Sequence, residues 1–166
     1  MDLQEHRPVE IEVAAGLVFR GGKLLLTQRP AGGHLEGLWE FPGGKREPGE
    51  TYVACLKREL REELGTEVRV GRLIEALTHD YPERRVHLRF FRCSWLRNEP
   101  QPLGCQRLVW VSSEDLRSYP FPAADARLIV RLEQEPGLWG RSGPGRSSQM
   151  AGAGGRNATS ARRPAG

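Results

Sequence analysis

Gly44-Lys45-Arg46-Glu47-Pro48-Gly49-Glu50-Thr51-Tyr52-Val53-Ala54-Cys55-Leu56-Lys57-Arg58-Glu59-Leu60-Arg61-Glu62-Glu63-Leu64-Gly65-Thr66 holds the reading from which the rest of the chain follows. At 3.6 residues per turn, Glu59 lies three and four positions before Glu62 and Glu63, so a helix here projects all three carboxylates from one side. Like charges so placed weaken a bare helix. A hard divalent cation reverses the sign, because Mg²⁺ takes oxygen ligands and keeps waters and substrate phosphates in its other positions. Val53, Leu56, Leu60 and Leu64 recur at the same period on the opposite side and predict a core face.

The ends of this helix are also written in the residues. Pro48-Gly49 is a turn dipeptide, Thr51 is placed as an N-cap, and Gly65 stands where a left-handed residue stops a helix. Gly43-Gly44 allows the backbone to approach a ligand or to offer a carbonyl to a metal. The spacing from Glu50 to Arg58 lets the loop fold back and pair with the helix.

A solvated acidic helix is the plain alternative, its ion pairs adding only tenths of a kcal/mol. Seven specified positions coincide here, however, and a chance match is on the order of 10⁻⁷ per register. Gly44, Glu50, Arg58, Glu59, Leu60, Glu62, Glu63 and Gly65 match the signature of the Nudix hydrolases, which the chain resembles; Thr66 departs from it, since an aliphatic residue is usual there. The resemblance implies an α/β fold, an αβα sandwich with a mixed sheet between helices, and Mg²⁺-dependent cleavage of a phosphoanhydride, with Mn²⁺ as an alternative ion. Leu38-Trp39-Glu40-Phe41-Pro42-Gly43-Gly44-Lys45, Thr27-Gln28-Arg29 and Phe121-Pro122-Ala123-Ala124-Asp125 look like the MutT branch, which sanitises nucleoside triphosphates.

Length and composition agree with one enzyme domain, residues 1–140, followed by a tail, residues 141–166. The tail is rich in Gly, Ser, Ala and Arg, with no Asp or Glu and Met150 as its one large apolar side chain, a composition that predicts disorder. Arg141, Arg146, Arg156, Arg162 and Arg163 lie in it, so 20 of the 25 basic residues face all 21 acidic ones in the domain. The domain is therefore close to neutral, and the basic balance of the whole chain is no argument for a stable nucleic-acid partner. Met1 to Glu10 lacks the apolar core of a signal peptide, and no apolar run reaches the length of a spanning helix, so a cytoplasmic enzyme without a membrane partner is expected. Cys55, Cys93 and Cys105 are odd in number and far apart, which indicates neither a disulfide framework nor a zinc site. Monomer and dimer both remain open.

Outside the signature, Ile11 to Phe19 and Lys23 to Gln28 read as a hairpin around Gly21-Gly22. Glu67 to His79 and Arg85 to Trp95 read as a second pair, and Arg107 to Val111 as a short strand. A short helix is expected from Ser113 and a final one over Asp125 to Glu133. This order suits a mixed sheet covered on both faces.

Hydrolysis of a phosphoanhydride requires charge neutralisation and an aligned water more than covalent help. Glu59, Glu62 and Glu63, with the Gly43 carbonyl, are the expected metal and catalytic residues, and Gly44, Glu50, Arg58 and Gly65 the structural ones. Resemblance to MutT implies attack of water at the β-phosphorus of a nucleoside triphosphate, yielding monophosphate and pyrophosphate. It assigns Arg29 to phosphate oxygens and Phe41, Arg84 and Asp125 to the base. Where MutT enzymes carry an Asn, Asp125 can only accept when ionised, unless it is merely a helix cap. An Asp also occupies this place in CTP pyrophosphohydrolases, which the segment from Leu108 to Asp125 resembles equally well. MutT-like enzymes usually carry a further Glu six residues before the strand Trp; here that position is Gly104, and Glu99 is the nearby carboxylate. A (d)NTP pyrophosphohydrolase acting on an oxidised nucleotide such as 8-oxo-dGTP is the favoured reading, with a (d)CTP pyrophosphohydrolase and a non-hydrolytic nucleotide-sensing module as alternatives.

Overall fold

A computed structural model describes residues 8–140; the tail expected to be disordered lies outside the described residues. The elements run β1 (Val9–Arg20), β2 (Lys23–Gln28), β3 (Trp39–Glu40), β4 (Gly43–Lys45), α1 (Tyr52–Leu64), β5 (Glu67–Tyr81), β6 (Arg84–Arg97), β7 (Arg107–Val111) and α2 (Ala126–Gln134), with 3₁₀ turns at Leu116–Ser118, Ala123–Asp125 and Pro136–Trp139. All seven strands belong to one mixed sheet, in which β1 runs parallel to β6 while β2, β4, β5 and β7 form antiparallel pairs.

β1 is central and buried on both sides, which explains its unbroken apolar run. Ala14 and Val18 face a cluster closed by Leu56, Leu60 and Leu64 of α1. Ala15, Leu17 and Phe19, on the other pleat, face a cluster closed by Leu128 and Leu132 of α2 together with Leu138 and Trp139. Helices thus cover both faces of the sheet, the sandwich expected from the sequence.

The hairpin at Gly21-Gly22 forms but is short. Only Phe19 with Leu24 and Arg20 with Lys23 are in register, after which the two strands separate. The segment from Trp39 to Lys45 enters the gap. Its first half pairs with β2, Thr27 opposite Glu40, and its second half pairs with β1, Ala15 opposite Gly43. Sequence reading missed both of these short strands, because two or three residues around a Pro carry no periodic signal.

Three local expectations need correction. Val53 is exposed at 39%, and Cys55, fully buried, takes its place on the core face of α1. Val53 stands one turn from Leu56 but in the first turn of the helix, beyond the edge of the sheet cluster. The helix expected from Ser113 is a turn and a single 3₁₀ step, Leu116–Ser118, ahead of which Ser112 Oγ donates to Asp115 Oδ2. The last helix begins one residue later than expected, after the 3₁₀ turn that contains Asp125.

Candidate active site

The signature helix is held as its residues predict. Thr51 Oγ1 accepts from the Ala54 amide at 3.1 Å, and Gly65 ends the helix at φ 62° with its amide donating to Arg61. Thr66, the departure from the signature, is buried, and its hydroxyl donates to the Asn98 carbonyl at 2.7 Å. A polar residue is tolerated there because its one hydroxyl has a partner.

Arg58 ties the preceding loop to the helix. Its Nε and Nη2 donate to the two oxygens of Glu50 at 2.9 and 3.0 Å, and Nη2 also donates to the Lys45 carbonyl at 3.1 Å. This fork, with the Glu47 amide, holds the Glu50 carboxyl down to about 2. The same guanidinium reaches the acidic face, with Nη1 2.7 Å from Glu59 and 3.2 Å from Glu62. Glu63 faces the cleft, where burial, and then the neighbouring Glu59, Glu40 and Glu62, push its carboxyl up to about 7.

A cleft of about 600 Å³ opens beside this face, within the range of small-molecule sites. Its lining combines Gly43, Gly44, Glu59, Glu63 and Gly104 with Phe41, Arg84, Asp125 and the apolar side chains of Val13, Leu88 and Phe90, and Arg29 and Glu40 also line it. Arg29, Phe41, Gly43, Gly44, Glu59, Glu63, Arg84 and Asp125 of the expected site therefore line one cleft, whereas Glu62 and the structural residues Glu50, Arg58 and Gly65 are not among its lining residues. Phe41 is at once core and wall: it stacks on Phe121 at 5.4 Å and meets Phe90 edge-on at 5.8 Å. Arg84 rests over the Tyr81 ring at 5.4 Å.

Among the described residues, no three acidic, His or Cys side chains are gathered closely enough to hold an ion as they stand. Arg58 accounts for this, since it draws Glu59 and Glu62 to itself as a counter-charge. The donor set nonetheless suits a hard divalent cation, being carboxylate oxygens whose mutual repulsion only a positive charge relieves. The backbone leaves room for it as well: a Cβ on Gly44 would fall 2.2 Å from the Glu59 carboxyl carbon, so this glycine is what lets Glu59 lie against the loop.

The helix-cap reading of Asp125 fails, because its side chain makes no capping hydrogen bond. Asp125 is 6% exposed and lines the cleft. Burial, reinforced by Glu40 and opposed by Arg29, pushes its carboxyl up to about 7. An acid whose folded pKa lies above its unfolded value binds more protons folded than unfolded, so stability falls as pH rises from about 4 to about 7 and is level beyond. Asp125→Asn should therefore be more stable than the parent above pH 7, on the order of a few kcal/mol, and its urea midpoint should vary less between pH 5 and 8. Measured in chelator, equal slopes for both proteins would refute this assignment.

Glu99 does not approach the cleft. It forms a two-pronged pair with Arg20, at 2.6 and 3.0 Å, and that guanidinium lies over the rings of Trp110 and Trp95 at 4.2 and 4.8 Å. Glu99, the carboxylate near Gly104 in the chain, is therefore not placed to supply the late Glu of MutT-like enzymes. Glu99→Gln is expected to leave turnover within about twofold of the parent, as for an exposed pair remote from the chemistry. Gly104 has its own explanation. The loop after β6 is bound to the end of α1, the Gly104 amide donating to the Glu63 carbonyl at 2.9 Å, and a Cβ there would lie 3.0 to 3.3 Å from Glu63. The carboxylate that sequence reading failed to single out is Glu40, paired with Arg29 at 2.7 Å and an electrostatic neighbour of both Glu63 and Asp125.

Comparison with known proteins agrees with this layout. A family model described as NUDIX domain matches residues 14–131. The chain belongs to the Nudix family. It is 43% identical over 119 residues to the CTP pyrophosphohydrolase of Escherichia coli (strain K12), covering 72% of this chain and 88% of that one. It is 38% identical over 126 residues to the 8-oxo-dGTP diphosphatase of Haemophilus influenzae, covering 75% and 93%. The solution structure of the E. coli ORF135 protein superposes with a TM-score of 0.67 at 39% identity, over 87% of this chain and 96% of that chain.

Proposed function

We propose that this chain is a MutT-type nucleoside triphosphate pyrophosphohydrolase that works with Mg²⁺ in the cytoplasm. The supporting observation is that a single cleft is lined both by Glu59 and Glu63 of the Nudix helix and by apolar and aromatic side chains together with Arg84 and Asp125. A nucleoside triphosphate combines the matching parts, a polyanion and a planar base.

Nudix hydrolases generally use a divalent metal. Glu59, Glu62 and Glu63, with the Gly43 carbonyl, would hold it, and bound there it supplies positive charge against phosphate oxygens and acidifies water. The protein's own groups account for the rest. Arg58, fixed by Glu50, keeps Glu59 and Glu62 on the face of α1. Arg29 donates to phosphate oxygens, which are stronger acceptors in this half-buried place than in water. Water attacks the β-phosphorus, the bond from that phosphorus to the bridging oxygen breaks, and the electron pair leaves with the nucleoside monophosphate. The products are monophosphate and pyrophosphate.

For the base, two readings stand. An oxidised purine nucleotide such as 8-oxo-dGTP follows the MutT-like segments and the named 8-oxo-dGTP diphosphatases. A cytosine nucleotide is favoured by Asp125 and by the 43% identical CTP pyrophosphohydrolase. The experiment is a screen of dGTP, 8-oxo-dGTP, CTP, dCTP and 5-methyl-dCTP for pyrophosphate release with Mg²⁺. Absence of pyrophosphate from all five, with binding retained, would instead indicate the non-hydrolytic sensing module.

A further inference from the structure

The chain departs from the Nudix signature at Thr66 and from the MutT-like pattern at Gly104, and both departures meet at one loop, residues 98–104. The loop begins at Asn98, whose φ of 62° turns the chain out of β6; Asn adopts this left-handed backbone more readily than most side chains. Thr66 is 1% exposed, and its hydroxyl donates to the Asn98 carbonyl at 2.7 Å and lies 3.2 Å from that of Arg97. The rest of the loop is tied to α1. A helix leaves its last four carbonyls unpaired, and the loop takes two of them. The Gln101 amide donates to Leu64 at 2.9 Å, and the Leu103 and Gly104 amides both donate to Glu63, at 3.0 and 2.9 Å. Gly104 also rests on the Glu63 side chain, since a Cβ there would lie 3.0 Å from Glu63 Cγ.

Resting on the reading of Glu63 as a metal-holding carboxylate, we infer that Thr66 is a positioning residue: its hydroxyl fixes the loop that in turn fixes where the Glu63 side chain stands in the cleft. Three observations support this. Thr66 follows directly on the Gly65 stop of α1, so the loop is anchored to the same helix that carries Glu63. Gly104 has no side chain of its own to hold it and the most permissive backbone of any residue, so its place against Glu63 has to be set by the rest of the loop. Loop and carboxylate then meet inside the cleft, which Gly104 and Glu63 both line. Glu99 belongs to the same loop but spends its carboxylate on Arg20, and Glu99→Gln leaves every bond named here in place.

The test measures Mn²⁺ affinity, from the electron spin resonance of the free ion, beside steady-state pyrophosphate release in the parent, Thr66→Val, Thr66→Ser and Gly104→Ala proteins. Val keeps the shape and removes the donor, while the Trp95 indole, 3.2 Å from the Asn98 carbonyl, still satisfies it, so the fold should survive. Thr66→Val should weaken Mn²⁺ binding and lower kcat about 10-fold each, the usual cost of losing a group that orients a metal ligand, with KM for nucleotide within about twofold. Thr66→Ser keeps the hydroxyl and should regain most of both. Gly104→Ala, which presses a Cβ on Glu63, should reproduce the loss with Thr66 intact. Parental Mn²⁺ affinity and kcat in Thr66→Val overturn the inference, whatever the melting temperature, because a merely structural hydroxyl moves only the melt. So does a Thr66→Ser protein as impaired as Thr66→Val. Should Thr66→Val not fold, parental affinity in Gly104→Ala overturns it instead. A parent that binds Mn²⁺ but cleaves no nucleotide would refute the proposed activity alone, with the ion affinities still deciding the role of Thr66, and a parent that binds no Mn²⁺ would refute both.

Discussion

Glu63→Gln is expected to lower pyrophosphate release about 10³-fold, roughly 4 kcal/mol in the barrier, while the protein folds normally. Glu63 is the acidic side chain of α1 whose carboxyl is most strongly affected by the site, through burial and through Glu59, Glu40 and Glu62. Taking its charge away removes part of what attracts a cation and leaves the core packing of Leu60 and Leu64 untouched. The stability sign is opposite to the activity sign. A raised folded pKa means the ionised Glu63 opposes folding above about pH 7, so without metal the Gln variant should melt at a higher temperature than the parent at pH 8. Addition of Mg²⁺ should raise the parent's melting temperature and have a weaker effect on the variant. Parental turnover in Glu63→Gln would be fatal to the proposed site.

The second large effect separates two adjacent glycines. Gly43→Ala is expected to cost about 3 kcal/mol or more of stability, because the new Cβ would lie 2.0 Å from the Ala14 carbonyl oxygen and 2.8 Å from Ala15 Cα, backbone atoms of the central strand that have nowhere to go. Gly44→Ala meets something different. There the clash is with the end of the Glu59 side chain, at 2.2 to 2.6 Å, which can swing away. Stability should change by about 1 kcal/mol or less, and activity should drop about 10²-fold through the displaced carboxylate. Denaturant titration beside a pyrophosphate assay distinguishes the two. Equal stability losses in both variants would contradict the proposed division between scaffold and site.

Much of this arrangement was legible before any coordinates, because its chemistry is local. Thr51, Gly65, Glu50 and Arg58 act within one helix and the loop before it, where spacing translates directly into contact. β5 and β6 were legible for the same reason, being long neighbours joined by a tight turn. What escaped depends on distant partners. β3 and β4 exist only because β1 and β2 part company and leave unsatisfied backbone between them. Cys55 replaces Val53 in the core because the sheet, not the helix, decides which edge of the apolar stripe is covered. Glu40 carried no signal of its own, since its meaning comes from Arg29, Glu63 and Asp125, three other elements of the fold. Glu99 was suggested by proximity in the chain, yet Arg20, 79 residues away, claims it.

The ribbon inserted between the parted strands carries Glu40 and Phe41 before its Pro and Gly43 and Gly44 after it. Four residues of extended chain measure roughly 13 Å. If the cleft binds a nucleoside triphosphate as proposed, covalent geometry acts as a ruler that sets how far apart the nucleoside and the phosphate ends are held. Side chains at 40 and 41 can be exchanged without altering that length, whereas one residue inserted after Pro42 would put the scale out of step with every molecule the cleft was sized to receive.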